Sequence, residues 1–246
     1  MAQRTAIVMA AGKGTRMKSE LPKVLIEVCA RPMIDYVIDA LEASEIDRTV
    51  VVVGYRSDLV RKTLAGRKRL AFAEQTEQRG TGHAVMVCRE ELAGYDGPVL
   101  IVAGDSPMLR SESVRALFAE FNRLRPACLL GTTHKPDPSG LGRIVRGGDG
   151  AFLGIVEDKD ATPEQRRITE VNLSCYIFNA HDLWFALDRI RNDNVQGEFY
   201  LTDCPGVLKA AGKDVRALPV LQPSEALSIN TREELAQVEA ALKAAR

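Results

Sequence analysis

Short apolar runs alternate with amphipathic stretches through the first half of the chain. Thr5 to Met9 is an unbroken run that predicts a buried strand. After a glycine-rich turn, Pro32 opens a helical pattern with Met33, Ile34, Val37, Ile38 and Leu41 on one face, and proline suits a first helical turn. Thr49 to Val53 predicts a second strand, and Ser57 a helix cap ahead of Leu59, Val60 and Leu64. Leu70 to Ala73 predicts a third strand, followed by a helix from about Gly82 to Glu91. Pro98 to Ala103 predicts a fourth, ending at Gly104-Asp105. Ser111 is expected to cap a helix carrying Val114, Leu117, Phe118 and Phe121, and Ala127 to Thr132 predicts a fifth strand. Strands alternating with helices imply βαβ units and a mainly parallel sheet. Ligands of such sheets bind beyond the carboxyl ends of the strands. The turns after Met9 and after Ala103 should therefore face one cleft.

The second half is less regular. Arg143 to Arg146 and Ala151 to Val156 predict a hairpin around Gly147-Gly148-Asp149-Gly150. Val171 to Asn179 reads as a strand; Asp182 to Ile190 and Leu201 to Ala211 read as helices. A last helix starts at Thr231, with a capping box to Glu234 and a stripe of Leu235, Val238 and Leu242. No internal repeat or low-complexity linker divides the chain. The expectation is one domain over 1–246: a regular half (1–135), a less regular half (136–230) and a C-terminal helix (231–246).

Charge changes this picture by exclusion. The 33 basic residues cancel the 33 acidic ones, so there is no global field to hold nucleic acid. The 5 cysteines are odd in number and form no CxxC pair, which argues against a zinc site or disulfide framework. The run Ala6 to Ala11 is too short for a signal peptide, and nothing approaches a membrane span. A cytoplasmic protein with no membrane partner is expected.

Ala10-Ala-Gly-Lys-Gly-Thr-Arg-Met17, with Pro22-Lys23, carries the first chemical signal. Glycines let backbone N–H groups reach phosphate oxygens, and Lys13, Arg16 and Lys23 add positive charge. The spacing lacks the four residues a P-loop needs, and Met17 stands where a dinucleotide fingerprint needs its third glycine. A plain strand-to-helix turn would be the other explanation. The second block is Glu74-Gln-Thr-Glu-Gln-Arg-Gly-Thr-Gly-His-Ala84. A Gln amide can pair with a base edge through its donor and acceptor together. Gly80, Thr81 and Gly82 would let the backbone approach the ring, and His83 is expected to be structural. The third is Val102-Ala-Gly-Asp-Ser-Pro107, whose lone Asp105 carboxylate suits Mg²⁺ or a helix cap.

Together these blocks resemble the sugar-nucleotide pyrophosphorylases, and most of all the N-terminal uridylyltransferase domain of the bacterial bifunctional N-acetylglucosamine-1-phosphate uridyltransferases. The likeness runs to about Asn230. It implies a Rossmann-like, GT-A-like nucleotidyltransferase fold: α/β, with a mixed, mainly parallel sheet flanked by helices. It implies transfer of UMP from UTP to N-acetylglucosamine 1-phosphate, with release of pyrophosphate. It assigns Arg16 and Lys23 to catalysis, and Ala10, Ala11, Gly12, Gly14, Thr15, Lys23, Gln75, Gly80 and Thr81 to the nucleotide. Gly142, Glu157, Asn172 and Thr202 match positions that bind the sugar phosphate, and Asp105 and Asn230 the ligands of Mg²⁺, so that 1–135 would be the nucleotide-binding half and 136–230 the sugar-binding half. Two positions depart from the pattern. Ala103 replaces a usual tyrosine, and Asn172-Leu-Ser174 replaces Asn-Thr-Gly. A different sugar 1-phosphate or cofactor-type acceptor therefore stays open, as does a non-catalytic nucleotide-sugar binding protein. No β-helix repeat follows, so the expected state is a monomer or weak oligomer.

Overall fold

The computed structural model describes residues 3–14, 19–229 and 231–244. Its elements follow in chain order: β1 (Thr5–Met9), β2 (Glu27–Val28), β3 (Arg31–Pro32), α1 (Met33–Ala43), β4 (Arg48–Val53), α2 (Ser57–Leu64), β5 (Leu70–Glu74), α3 (Thr81–Met86) and β6 (Pro98–Ala103). Then come α4 (Ser111–Leu124), β7 (Cys128–His134), β8 (Gly142–Arg146), β9 (Phe152–Val156), β10 (Glu170–Asn179), α5 (Ala180–Leu187), α6 (Cys204–Ala210), β11 (Val215–Leu218) and α7 (Arg232–Ala244).

The main sheet runs β11-β7-β10-β6-β1-β4-β5, with the β8–β9 hairpin joined to β10. β1 is parallel to both β4 and β6, β4 to β5, and β7 to β11. β10 runs antiparallel between β6 and β7, which makes the sheet mixed. Side chains alternate across each strand, so one run of apolar residues feeds two cores. Ile7, Val50, Val52, Val99 and Ile101 pack in one core with residues of α3, α5 and α6. Ala6, Val8, Val51, Val53 and Leu100 pack in the other with residues of α1, α2 and α4. Strands covered on both faces explain the unbroken apolar runs. Each fully buried Ile, Leu or Val side chain contributes roughly 1.5–3 kcal/mol.

Several helix ends differ from the sequence pattern. Ser57 is the first residue of α2 and caps nothing; Arg56 precedes it with φ 47°, while the Ser57 hydroxyl donates to Glu74 at 3.2 Å. Ser111 likewise does not cap α4. A carboxylate distant in sequence serves that end: Glu225 accepts from the Arg110 amide at 2.9 Å and the Ser113 hydroxyl at 2.6 Å. Regular α3 stops at Met86 rather than near Glu91, because the next amides bond three residues back, Cys88 to Val85 and Arg89 to Met86. The segment from Leu201 begins as a 3₁₀ turn before α6. The capping box of the last helix is present, with the Thr231 amide donating to Glu234 at 3.0 Å and the Glu234 amide to Thr231 Oγ1 at 3.2 Å. Through Leu235, Val238 and Leu242, α7 packs on Val28 and Met33. Among the described residues no helix is long and apolar enough to cross a membrane.

Candidate active site

Met9 and Ala103 are paired neighbours at the carboxyl ends of β1 and β6, so the segments that follow them open on the same edge. The first is the glycine loop. Ala10 is anchored by its amide on the Val52 carbonyl at 2.9 Å. The Ala11 carbonyl accepts from the Tyr55 amide at 3.1 Å and from Gln78 Nε2 at 2.8 Å. Gly12 is open on its Cβ side. Gly14 has φ +68°, and a Cβ there would sit 2.6 Å from that of Lys23, so glycine is required by both conformation and space. Thr15 and Arg16 lie outside the described residues.

Lys23 starts a 3₁₀ turn and reaches across to the strand-end aspartate: its Nζ lies 2.6 Å from Asp105 Oδ2. Both side chains are partly exposed, at 18% and 29%. They border a cavity of about 370 Å³ that also touches Gly12, Gln75, Gly80 and Thr81. A second cavity of about 660 Å³, lined in part by Leu141, Asn172, Leu173 and Ser228, shares Ala103, Asp105 and Ser174 with the first. The two form one cleft with Asp105 at the junction.

Gln75 follows β5 and is 4% exposed. Its Nε2 donates to the Gly80 carbonyl at 3.1 Å and lies 3.1 Å from His83 Nδ1. The amide nitrogen is thus occupied, and a base edge could meet only the amide oxygen, not donor and acceptor together. Gly80, with φ +103°, and Gly82 admit protein backbone: a Cβ on Gly80 would lie 2.6 Å from the Phe199 carbonyl. The Gly82 amide donates to that carbonyl at 2.8 Å, and the Leu201 amide donates to Thr81 Oγ1 at 3.0 Å. The 198–201 segment is therefore strapped over the 79–82 loop.

The residues expected on the acceptor side lie around Gly142. Gly142 pairs with Asn172 across β8 and β10, and a Cβ on it would lie 3.7 Å from Glu157 Oε2. Thr202 Oγ1 donates to Glu157 Oε1 at 2.9 Å. Burial pushes the Glu157 carboxyl above its ordinary range; the Thr202 bond opposes this, and Asp160 and Asp158 add to it. Asn172 is 5% exposed and holds an irregularity of its own strand. Its Nδ2 donates to the Tyr176 hydroxyl at 2.6 Å, and its Oδ1 accepts from the Ser174 amide at 3.2 Å. The register with β7 slips between Asn172 and Tyr176, and Ser174 takes φ 53°. The departure at Leu173-Ser174 is thus a bulge that borders both cavities.

Asp105 offers one hard oxygen donor to the cleft. Among the described residues no group of three or more His, Cys, Asp or Glu side chains gathers as an all-protein metal cage. Mg²⁺ requires none, since it is commonly held by one or two carboxylates together with substrate phosphates and water. The donor set fits that ion. Asn230 lies outside the described residues.

A family model described as the MobA-like NTP transferase domain matches residues 6–193. The chain belongs to the MobA-like NTP transferase family. Curated relatives named bifunctional protein GlmU are also similar to it. That of Lactobacillus delbrueckii subsp. bulgaricus is 44% identical over 235 residues, covering 96% of this chain and 50% of the relative. That of Listeria innocua is 43% identical over 237 residues, covering 96% and 51%. That of Geobacter metallireducens is 44% identical over 237 residues, covering 96% and 50%. The chain spans about half the length of the curated relatives it matches. A crystal structure of a Bacillus anthracis protein described as a glucose-1-phosphate thymidylyltransferase shares the fold. Its TM-score is 0.79 over 97% of this chain and 94% of that one, at 16% identity. The Rossmann-like, nucleotidyltransferase-type fold implied by the resemblance is the fold observed.

The motifs assign no ligand role to Gln78 or to His83, which is expected to be structural, and they reach the 198–201 strap only through the neighbouring Thr202. Gln75 and His83 stand eight positions apart, and only the fold of the segment between them makes them partners.

Proposed function

We propose that this chain transfers UMP from UTP to N-acetylglucosamine 1-phosphate, giving UDP-N-acetylglucosamine and pyrophosphate. What supports the reading most is the meeting of Lys23 and Asp105 at the junction of two cavities. The similarity to proteins named GlmU supports the choice of nucleotide and sugar. The smaller cavity, edged by the glycine loop and Gln75, takes the nucleotide. Gly142, Glu157, Asn172 and Thr202 serve the acceptor side. Asp105, with Asn230, would hold Mg²⁺, which supplies charge neutralisation for the triphosphate when bound.

The reaction needs no protein nucleophile. A phosphate oxygen of the acceptor attacks the α-phosphorus of UTP, a new P–O bond forms, and the α–β bridging bond breaks to release pyrophosphate. The protein aligns the partners and offsets negative charge as it develops. Lys23 brings a cation to the triphosphate, and Arg16 is assigned the same task. Glu157 and the amide of Asn172 are suited to sugar hydroxyls, although Asn172 must share its amide with Tyr176 and Ser174.

A second acceptor is favoured by one observation. Ala103 and Ser174, both departures from the resembling pattern, are the residues other than Asp105 that the two cavities share. Pyrophosphate release measured for UTP, dTTP, CTP and GTP against several sugar 1-phosphates tests both readings. UTP with N-acetylglucosamine 1-phosphate should give the highest kcat/KM. An inert N-acetylglucosamine 1-phosphate beside another acceptor that turns over would reject the sugar and keep the reaction.

A further inference from the structure

We infer that His83 is the positioning residue that sets base selectivity, by fixing which end of the Gln75 amide faces the nucleotide. The inference rests on the uridylyl-transfer reading. An amide presents two donors on nitrogen and an acceptor on oxygen, and a half-turn of the side chain exchanges them. At Gln75 two neighbours decide the orientation. The Gly80 carbonyl can only accept, so it takes a proton from Nε2 at 3.1 Å. His83 Nδ1, also 3.1 Å from Nε2, must accept the other, which leaves the imidazole proton on Nε2 of the ring. Both amide protons are spent, and Gln75 borders the nucleotide cavity. What the amide can offer a base is its oxygen, an acceptor alone.

An acceptor in that place selects by chemistry. Uracil and thymine carry a ring N–H at N3 and can donate to it. Cytosine presents an unprotonated N3, a lone pair facing a lone pair. The pinned amide thus separates UTP from CTP, while UTP and dTTP remain alike to it. Without the His83 acceptor, one amide proton has no fixed partner. The side chain then turns at lower cost, opposed by the Gly80 carbonyl alone, and its nitrogen can serve cytosine N3.

The test measures kcat/KM for UTP, CTP and dTTP with the full chain, using wild type, His83→Leu, His83→Phe and His83→Asn. Leu and Phe lack an acceptor. The asparagine oxygen can stand where Nδ1 stands. In the Leu and Phe variants the UTP-to-CTP ratio should fall about five- to tenfold, the worth of one modest hydrogen bond. The change should reside in KM, and the UTP-to-dTTP ratio should not move. His83→Asn should keep the wild-type ratio. Equal UTP-to-CTP ratios in wild type and either acceptor-free variant would overturn the inference. So would His83→Asn losing selectivity as fully as His83→Leu. If one acceptor-free variant fails to fold, the other and the asparagine variant still decide. A wild-type chain inactive with UTP would instead reject the uridylyl-transfer reading itself.

Discussion

Lys23 Nζ and Asp105 Oδ2 stand 2.6 Å apart, joining the end of the glycine loop to the end of β6. The two residues are far apart in sequence, and parallel pairing of β1 with β6 brings their segments together. Both are partly exposed, so the pair adds only about 0–1 kcal/mol to stability. Its worth is positional: a cation and a hard oxygen donor face the same cleft.

Lys23→Ala follows directly. It should lower kcat by about 100-fold, the scale of losing a group that stabilises developing charge. The melting temperature should change little, because the ion pair is screened. Turnover at saturating UTP and acceptor, with a thermal melt as control, checks this. Full turnover would remove Lys23 from the mechanism.

Gly80→Ala should damage the strap. The new methyl would meet the Phe199 carbonyl at 2.6 Å, in a backbone conformation with φ +103° that alanine resists. The cost should be about 2 kcal/mol or more, read by urea unfolding. KM for UTP should rise too, since Gly80 orients the Gln75 amide.

Asn172→Ala removes a partner of the buried Tyr176 hydroxyl and the acceptor for the Ser174 amide. A loss of about 1–3 kcal/mol is expected from hydrogen bonds left incomplete. The bulge should loosen, and KM for the sugar phosphate should rise more than KM for UTP. Initial-rate measurements with each substrate varied in turn separate the two effects.

Asp203 gives a pH prediction. Burial, then the neighbouring Glu157, Asp193 and Asp160, push its carboxyl up from 3.8 to about 6. The folded chain therefore binds more proton here than the unfolded chain between those values, and this group costs stability as pH rises through that window. Asp203→Asn should raise the melting temperature at pH 7 and have little effect near pH 4. Thermal melts of both proteins across that range test it. A variant no more stable than wild type at pH 7 would contradict the assignment.

The sequence carried much of the fold because β1, β4 and β6 are covered on both faces and so read as continuous apolar runs. β11 escaped, since Val215–Leu218 is short and owes its strand to pairing with distant β7. The β2–β3 hairpin turns through Cys29 and Ala30, with φ 50° and 60°, and carries no glycine to announce it. That turn is steadied from α7, where Glu239 accepts from the Cys29 amide at 2.8 Å, a contact no local pattern encodes. The site divides in the same way. Gly14, Gln75 and Asp105 stand in local motifs at strand ends. The roles of His83, Thr202 and Asn172 depend on which neighbours the fold supplies. Asn172 matched a motif, yet its amide is committed to the bulge.

Formation of UDP-N-acetylglucosamine from UTP and N-acetylglucosamine 1-phosphate, followed by chromatography with Mg²⁺ present, decides whether the chain is a uridylyltransferase. Product and pyrophosphate should appear in equal amounts, dependent on both substrates and greatly reduced in Lys23→Ala. UTP and UDP-N-acetylglucosamine that bind without any turnover would contradict it and mark the chain as a nucleotide-sugar binding protein.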